Sequence, residues 1–407
     1  MTNERRLISA AYVLALTTTL VAAPPTISDA GRTALSDFLR AGVARGDVPA
    51  VVALVANADR VIYVDAAGKR RVADNAPLTP DTIFRIASMT KPVTSLAVMM
   101  LVDEGKIGLD DPVTRHLQEF KQPPVLIRMN ADGTLESRPS SRPILIRDLL
   151  TNTSGIGYPF VSAALAKLNA SGKSEAELPL VHDPGTKWTY GPSTAVLGRI
   201  VERVSGETLD AFFQRRIFDP LGMRDTFYVV PADKHDRVVT QHARGAGDAL
   251  TERPNPATVQ SAIRGDGGLT STARDYATFL QLFLNGGKHG TTRLISERAL
   301  SLMTSNRIGD LFVVEQASVE PDRARSFPIG AGKDKFGFGF QIETAPADRG
   351  MRSVGSLSWG GIYNTHFWID PRRQIAAVVL MQLLPYYDEA SMRMLRGFER
   401  LVYQHLR

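Results

Sequence analysis

Strand-like runs stand near both ends of the chain, and helical patterns fill the long stretch between them. The predicted strands are apolar and rich in β-branched or aromatic residues, and they cover 48–56, 61–66, 336–342, 363–369 and 374–383. Tight turns join two adjacent pairs, at Asn57 to Arg60 and at Asp370 to Arg373. Because strands must pair to be stable, strands this far apart predict one antiparallel sheet assembled from both ends of the chain. The expected fold is therefore α+β, an antiparallel β-sheet flanked by helices with an inserted, mostly helical lobe.

Helical periodicity divides the rest of the chain into two lobes. Helices are predicted where apolar residues recur every three to four positions, in a segment that ends at Gly206 and at 31–46, 145–150, 209–218, 273–284 and 389–403. The sheet lobe is placed at about residues 31–87 and 265–407, and the helical lobe at about 88–264. Residues 121–142 are polar and rich in proline, which predicts a surface loop. The cleft between two lobes is a usual location for a site.

The stretch from Ser88 to Lys91 lies where an apolar, strand-like run at 82–87 gives way to a helical pattern. The helix is predicted to begin at Ser88 and to end before Gly105, with Pro92 in its first turn, where a missing N–H group costs little. Lys91 is three residues after Ser88 and therefore one turn further along the same face. The lysine amine is thus expected within reach of the serine hydroxyl.

This spacing suits a serine nucleophile. A serine hydroxyl attacks poorly until a neighbouring base takes its proton. The lysine can act as that base if burial and the positive end of the helix bring its pKa to about 7–8. The same helix end would stabilise negative charge that develops on a bound substrate. A serine followed by a lysine at this spacing is also an ordinary helix start, so the assignment depends on what the rest of the chain supplies.

Two further segments supply groups that such a serine needs. Tyr190 lies at a second loop-to-helix junction, where a tyrosine hydroxyl can carry a proton to a leaving group or simply be the tip of an aromatic residue at the core edge. Trp359, Gly360 and Gly361 precede a predicted strand at 362–369. Paired glycines there would let the backbone approach a ligand and complete an oxyanion hole, or they form only a bulge or turn.

Taken together, Ser88-x-x-Lys91, Tyr190 and the Trp-Gly-Gly motif resemble the serine β-lactamase and penicillin-binding-protein superfamily. The resemblance spans almost all of residues 31–407, including the flanking phrases 149–155, 184–187 and 267–276. Within that superfamily the chain is most similar to class C-type enzymes and to their esterase relatives, the family VIII carboxylesterases. The fold that this implies is the β-lactamase/transpeptidase fold.

The resemblance also implies roles for individual residues. Ser88 would be the acylated nucleophile, Lys91 its base and Tyr190 the proton relay, with either Lys91 or Tyr190 taking the first proton. The backbone N–H groups of Ser88 and Ile362 would form the oxyanion hole. The Trp-Gly-Gly motif at 359–361 would line the substrate site, and no cofactor or metal is implied.

Two departures from the β-lactamase pattern favour an ester substrate. Where β-lactamases of this type carry Tyr-x-Asn, this chain has Tyr190-Gly191-Pro192, so the amide that would bind a substrate's acylamino group is missing. Where they carry Lys-Thr-Gly, it has Trp-Gly-Gly, which removes a lysine that helps to hold the β-lactam carboxylate. The esterase relatives resemble this chain at Trp-Gly-Gly. The resemblance therefore implies a carboxylesterase for esters with short to medium acyl chains.

Other functions stay open at this point. A class C-type β-lactamase, a D-alanyl-D-alanine carboxypeptidase or an acyltransferase would use the same residues. A non-catalytic binding module of the same fold is a further alternative, against which the intact Ser88, Lys91 and Tyr190 argue. The segment from Gly191 to Ala195 approaches the G-x-S-x-G elbow of α/β-hydrolases, but the chain lacks the alternating βαβ units that this elbow needs.

Composition excludes several other classes of function. The chain has no cysteine, which rules out disulfides, thiol nucleophiles and thiolate metal sites. Its seven histidines show no metal-ligand spacing, and no phosphate-binding or dinucleotide motif is present. The net charge is +6, but no basic run is interleaved with aromatic residues, so nucleic acid is not an expected partner. The expected partner is a small-molecule ester or β-lactam, and the sequence indicates no oligomeric state.

The first 30 residues have the features of an export signal. Arg5 and Arg6 precede an apolar stretch at 7–23 that threonines interrupt, and prolines and small residues follow. Cleavage is expected near Ala22 or Ala30, which would place the mature protein in the periplasm or outside the cell without stable membrane insertion. A short anchor or an uncleaved cytoplasmic extension is the alternative, and the threonines weaken an anchor because a membrane span needs about 20 apolar residues.

Overall fold

The computed structural model describes residues 23–73, 75–130, 132, 134–169, 175–345 and 351–407. Most of the predicted export signal, residues 1–22, lies outside the described residues. The eight residues that follow belong to the fold, since the backbone of Ile27 pairs with that of Leu406 and the side chain of Ser28 caps the first helix. The folded unit therefore begins before residue 31, and cleavage at Ala30 would remove this cap.

Most strands occur near the two ends of the chain, as predicted, and short strands also lie between them. They are β1 (Ala50–Asn57), β2 (Val61–Arg71), β3 (Ala76–Pro77), β4 (Phe84–Arg85), β5 (Val125–Met129), β6 (Leu135–Arg138), β7 (Gln241–Arg244), β8 (Leu250–Arg253), β9 (Thr270–Ser271), β10 (Lys288–His289), β11 (Thr292–Arg293), β12 (Lys335–Phe336), β13 (Gln341–Ile342), β14 (Leu357–Gly361), β15 (Thr365–Asp370), β16 (Ile375–Leu380) and β17 (Leu383–Leu384).

An eight-stranded antiparallel sheet forms the centre of the described structure, in the order β12-β13-β14-β15-β16-β1-β2-β3. The N-terminal strand β1 pairs with the C-terminal strand β16, so that Leu54 lies opposite Val378. The two ends of the chain thus meet inside one sheet. The predicted α+β fold, with an antiparallel sheet built from both ends, is confirmed.

Both faces of this sheet are buried. Successive side chains of a strand point to opposite faces. In β1, Val51 and Val55 pack with the terminal helices, whereas Val52 and Leu54 pack with the helices of the other layer. Burial on both sides explains why β1 and β16 are continuously apolar instead of alternating. The helical lobe packs on the second of these faces.

The helices flank the sheet or build the second lobe. They are α1 (Asp29–Ala44), α2 (Thr90–Asp103), α3 (Ile146–Leu150), α4 (Ala163–Asn169), α5 (Ser193–Ser205), α6 (Leu209–Phe213), α7 (Asp219–Leu221), α8 (Ala273–Leu284), α9 (Glu297–Thr304) and α10 (Glu389–His405). α1 and α10 contact each other on one face of the sheet, and α8 packs against β1 and β16 on the other. A π-helical turn (Gln214–Phe218) joins α6 to α7, so the predicted helix at 209–218 is interrupted.

Helix α2 is enclosed by the rest of the protein. Every residue from Thr90 to Leu101 is buried, the polar Thr94 and Ser95 included, so other parts of the protein cover all sides of the helix. The predicted start at Ser88 is two residues early, because Ala87–Met89 form a 3-10 turn that leads into α2. Gly105, with a left-handed φ of 69°, follows the end of the helix as predicted.

Three predicted elements differ from the observed ones. The predicted strand at 336–342 is two strands, β12 and β13, because the chain turns through Gly337 and Gly339, and a Cβ at Gly337 would lie 2.1 Å from a backbone carbonyl oxygen. The predicted loop at 121–142 contains the hairpin of β5 and β6. The Trp-Gly-Gly motif lies within β14 and not ahead of the next strand, since Asn364, with a left-handed φ of 54°, helps to turn the chain towards β15.

Segments from each lobe reach into the other. β7, from the predicted helical lobe, pairs with β17 of the sheet lobe. Gln316, from the predicted sheet lobe, accepts a hydrogen bond from the backbone N–H of Tyr190 at 3.3 Å. The two lobes are therefore joined on both sides of the cleft. In the part of the chain that the structure describes, no helix has the length and apolar character needed to cross a membrane.

Candidate active site

Ser88 lies between β4 and α2, in the 3-10 turn that precedes the buried helix. β4 pairs with β9, which fixes the chain just before this turn. Ala87, the residue before Ser88, has a left-handed φ of 44°, a strained conformation for a residue with a side chain. The first N–H groups of a helical turn have no partner within the helix. The fold therefore presents Ser88, half-buried, at the wall of a cavity.

Lys91 and Tyr190 both reach the hydroxyl of Ser88. Lys91 Nζ donates a hydrogen bond to Ser88 Oγ at 3.1 Å from one helical turn away, as the spacing predicts. Tyr190 Oη donates to the same oxygen at 2.7 Å. The structure thus brings together the three residues that the sequence assigned to one site, although Tyr190 is 102 positions from Ser88.

Close packing holds Tyr190 against this site. A Cβ on the next residue, Gly191, would lie 1.8 Å from the carbonyl oxygen of Ile156, so only glycine permits the approach of these two segments. The ring centroid of Tyr190 lies 5.3 Å from that of Trp359 and 5.5 Å from that of Phe327. These contacts restrict the phenol to one position beside Ser88.

Lys91 has two further partners that sequence reasoning missed. Its Nζ donates to Tyr158 Oη at 3.0 Å and to the backbone carbonyl oxygen of Asp266 at 2.6 Å. Together with Ser88 Oγ, these oxygens supply the three acceptors that an ammonium group needs. Lys91 is only 2% exposed, so water does not compete for these contacts. Lys91 is thus held in place by three oxygens inside the protein.

A buried carboxylate balances the positive charge of Lys91. Tyr158 Oη donates to Asp266 Oδ2 at 2.5 Å, and Arg264 Nε donates to Oδ1 at 2.9 Å. Burial disfavours the charged carboxylate, but Lys91 and Arg264 outweigh burial and lower the pKa of Asp266. Burial and the adjacent Asp266 raise the pKa of Tyr158 well above its usual value. Tyr158 therefore stays protonated and connects the carboxylate to the ammonium.

Strand β14 brings part of the Trp-Gly-Gly motif to the same cavity. Trp359, Gly360 and Ile362 line it. Gly361 has a different position, because it packs on the turn before Ser88, where a Cβ would lie 2.2 Å from the carbonyl oxygen of Ile86. This glycine allows β14 to approach the turn that contains Ser88. The sequence predicted that Gly361 lies close to a ligand, but in the structure it lies close to the protein's own backbone at Ile86.

The cavity beside Ser88 has a volume of about 400 Å³. Its walls are largely aromatic and apolar, and include Phe160, Leu269, Phe327 and Trp359. Small-molecule sites typically combine such walls with a few polar groups that fix orientation. The cavity is thus suited to a small molecule with an apolar body whose reactive group reaches Ser88.

Other candidates from the sequence lie elsewhere or are not formed. Ser193, the serine of the α/β-hydrolase alternative, is fully buried, and its Oγ is 2.8 Å from Ser154 Oγ. The central sheet is antiparallel, whereas that elbow belongs to a sheet of βαβ units, so the α/β-hydrolase alternative is wrong. Over the described ranges, no group of three or more His, Asp or Glu side chains is arranged to hold a metal ion.

Comparison with known proteins places this geometry in a family. The beta-lactamase family model matches residues 35–398. Protein Rv1367c of Mycobacterium tuberculosis is 34% identical over 376 residues, which cover 88% of this chain and 90% of that protein. Esterase EstB of Burkholderia gladioli is 31% identical over 366 residues, which cover 82% of this chain and 86% of EstB.

A solved structure shows the same relation in three dimensions. EstCE1, a hydrolase with promiscuous acyltransferase activity, matches with a TM-score of 0.74 and 25% identity, over 92% of this chain and 99% of EstCE1. The predicted superfamily and the predicted relation to esterases of family VIII are confirmed. The chain belongs to the β-lactamase family of serine hydrolases and acyltransferases.

Proposed function

We propose that this protein is a carboxylesterase that forms an acyl-enzyme on Ser88. The observation that carries the proposal is the position of Ser88 Oγ, 2.7 Å from Tyr190 Oη and 3.1 Å from Lys91 Nζ at the wall of an apolar cavity. A nucleophile, a proton-transfer group and a fixed positive charge within contact distance are what acyl transfer from an ester requires.

Acylation would proceed through a tetrahedral intermediate. The bond from Ser88 Oγ to the acyl carbon forms, the bond from that carbon to the alcohol oxygen breaks, and the serine proton passes to the departing alcohol. The N–H groups of Ser88 and Ile362 would stabilise the negative charge on the carbonyl oxygen. Water then attacks the acyl carbon, the bond to Ser88 breaks and a proton returns to the serine.

We assign the proton transfer to Tyr190 and a charge-stabilising role to Lys91. As an ammonium, Lys91 has an acceptor for each of its three protons and no lone pair, so in that form Tyr190, as a phenolate, takes the serine proton. Tyr190 is the other group that touches Ser88 Oγ, and Lys91 Nζ lies 4.9 Å from its ring centroid. A positive charge this close to the ring stabilises the phenolate form of Tyr190, which is the form that accepts a proton.

Esters are the favoured substrates because the chain lacks two motif side chains that β-lactamases of this type use. Gly191-Pro192 stands in place of the β-lactamase amide, and Trp359 in place of the carboxylate-binding lysine. The similarity to Esterase EstB supports the same choice. A volume of about 400 Å³ supports acyl chains of short to medium length.

The test compares p-nitrophenyl acetate, butyrate and octanoate with a chromogenic cephalosporin, using the wild type and Ser88→Ala. We expect the esters to be cleaved faster than the cephalosporin, butyrate faster than octanoate, and all turnover to disappear in Ser88→Ala. A faster cephalosporin would make the β-lactamase or peptidase assignment the leading one. Ester turnover that persists in Ser88→Ala would remove Ser88 from the mechanism.

Acyl transfer to an acceptor other than water is the second candidate. The similarity to EstCE1, a hydrolase with promiscuous acyltransferase activity, favours it. Adding a primary alcohol to the butyrate assay separates the two activities, because transfer yields the alkyl butyrate while hydrolysis yields butyric acid. A butyrate ester that forms in proportion to the alcohol, and only with intact Ser88, would establish transfer.

Export is a further proposal, supported by the composition of residues 1–23. The cap that Ser28 provides to α1 favours cleavage near Ala22 over cleavage near Ala30. N-terminal sequencing of protein recovered from the producing cell's exported fraction tests both points. A mature protein that starts at Met1 and stays in the cytoplasm would contradict them.

A further inference from the structure

The cavity beside Ser88 contains an arginine without a counter-ion. Arg85 lies in β4, three residues before Ser88, and lines the same cavity. Its Nη1 atom is buried and makes no hydrogen bond, and its guanidinium forms no ion pair with a carboxylate of the described residues. Within the described part of the chain, this half-buried arginine therefore has no charged partner.

An arginine in this position is unfavourable for the free protein. Taking a cation out of water costs free energy unless a counter-charge or hydrogen bonds replace the lost hydration. Burial lowers the pKa of Arg85, and Tyr363 offsets this only in part. A guanidinium nevertheless stays charged in proteins. A buried polar group without a protein partner is completed by a water molecule, an ion or a ligand, and Arg85 lines a cavity that a ligand can enter.

The other cations around this cavity are already neutralised. Arg264 pairs with Asp266 and Glu175, with contacts of 2.9 and 2.7 Å. Arg323 is half-exposed and pairs with Glu320 at 3.4 Å. The Asp266 carboxylate is occupied by its contacts with Arg264 and Tyr158, so it is not a partner for Arg85.

The positive charge at Arg85 also bears on the departures from the β-lactamase pattern. Trp359 replaces a lysine that helps to hold a substrate carboxylate, so the Trp-Gly-Gly motif itself supplies no positive charge. In the structure, Arg85 supplies a cation from another segment, next to the turn that contains Ile362 and Tyr363. The cavity is thus not neutral. The planar guanidinium of Arg85 can donate two parallel hydrogen bonds to a carboxylate.

We propose that Arg85 binds a carboxylate of the substrate, so that the preferred substrates are esters that carry a free carboxylate on the acyl or the alcohol part. This inference rests on the proposed esterase function. The carboxylate supplies the counter-charge that Arg85 lacks, and the guanidinium in turn fixes where the ester carbonyl lies relative to Ser88. Arg85 is then a specificity-determining residue.

Matched ester pairs test which part carries the charge. For the acyl side, the pair is the p-nitrophenyl monoester of glutaric acid and its terminal amide. For the alcohol side, the pair is 4-carboxyphenyl butyrate and 4-carbamoylphenyl butyrate. Ser88→Ala provides the background rate for each compound. In the wild type, we expect kcat/KM for the carboxylate to exceed that for the amide by about tenfold or more in one of the two pairs, as a charged hydrogen bond predicts.

Variants then assign the preference to Arg85. In Arg85→Met, the ratio of the carboxylate rate to the amide rate should fall by about tenfold or more, and Arg85→Lys should recover part of it. Arg323→Met is the matched control, since this second arginine of the cavity already has a partner, and its effect on the ratio should be smaller. A wild-type ratio of one or less in both pairs overturns the inference, and so does a ratio that Arg85→Met leaves unchanged.

Binding measurements on the wild type cover the remaining outcomes. If Arg85→Met does not fold, benzoate and glutarate should inhibit ester cleavage at lower concentrations than their amides, and added salt should weaken this difference. If no ester is cleaved, the proposed function fails. Carboxylate binding can still be measured, by asking whether benzoate and glutarate protect Ser88 from a fluorophosphonate label better than their amides do. Equal inhibition or equal protection by acid and amide contradicts the role of Arg85.

Discussion

Replacing Tyr190 with phenylalanine removes one oxygen atom and should leave the surrounding packing intact. The lost oxygen donates a hydrogen bond to Ser88 Oγ at 2.7 Å. The ring keeps its contacts with Trp359 and Phe327, because these involve ring atoms only. Loss of one such hydrogen bond costs about 1 kcal/mol of unfolding free energy. Loss of a proton-transfer group costs about 10²- to 10⁴-fold in rate, or about 3–5.5 kcal/mol of activation free energy.

Stability and rate should therefore respond very differently to this substitution. Urea unfolding gives the first quantity, and kcat for p-nitrophenyl butyrate gives the second. Tyr63→Phe is the matched control, because its hydroxyl contacts Ser36 at 3.3 Å on the opposite face of the sheet. It should lose a similar amount of stability and keep its rate. A loss of kcat below about tenfold in Tyr190→Phe would refute the assignment and return the role of base to Lys91.

Three further substitutions test other parts of the site. Asp266→Asn removes a carboxylate whose pKa is lowered in the folded protein, so the wild type should gain stability from this group above about pH 4 and lose it as the pH falls. In urea unfolding, the unfolding free energy of the variant should therefore fall less steeply at acid pH than that of the wild type. Gly361→Ala places a methyl group 2.2 Å from a backbone carbonyl oxygen and should cost about 1–3 kcal/mol together with most activity, whereas Gly245→Ala, with its nearest neighbour at 3.9 Å, should be silent in both assays. Ser193→Ala should lower unfolding free energy by about 1 kcal/mol while kcat is retained, and a dead enzyme would contradict the assignment of Ser88.

Local patterns predicted the contact between Ser88 and Lys91, and tertiary contacts determined the rest of the site. Ser88 and Lys91 are one helical turn apart, so their spacing alone predicts contact. Tyr158 and Asp266 lie 67 and 175 positions from Lys91, and no spacing rule links them to it. Asp266 is the one charged residue in the glycine-rich run 265–268, and this position could have drawn attention to it.

The errors in the fold have specific physical causes. The alternating Phe and Gly residues at 336–340 resemble a strand by period, but Gly339 takes a left-handed φ of 98° and the chain reverses. The helical pattern of α2 includes the polar residues Thr94 and Ser95, yet both are fully buried. Periodicity reports which residues are polar, and it does not report what packs against them.

The enclosure of α2 has a consequence for how this enzyme can acquire new substrates. Twelve successive residues, from Thr90 to Leu101, have no solvent-facing side at which a substitution would be inexpensive. Ser88 and Lys91 are thus attached to a scaffold that tolerates little change. Variation can accumulate in the cavity walls, at positions such as Arg85 and Phe327, without moving the nucleophile. Proteins of this fold that differ in substrate preference should therefore differ mainly in residues of the cavity walls, while Ser88 and Lys91 stay in place.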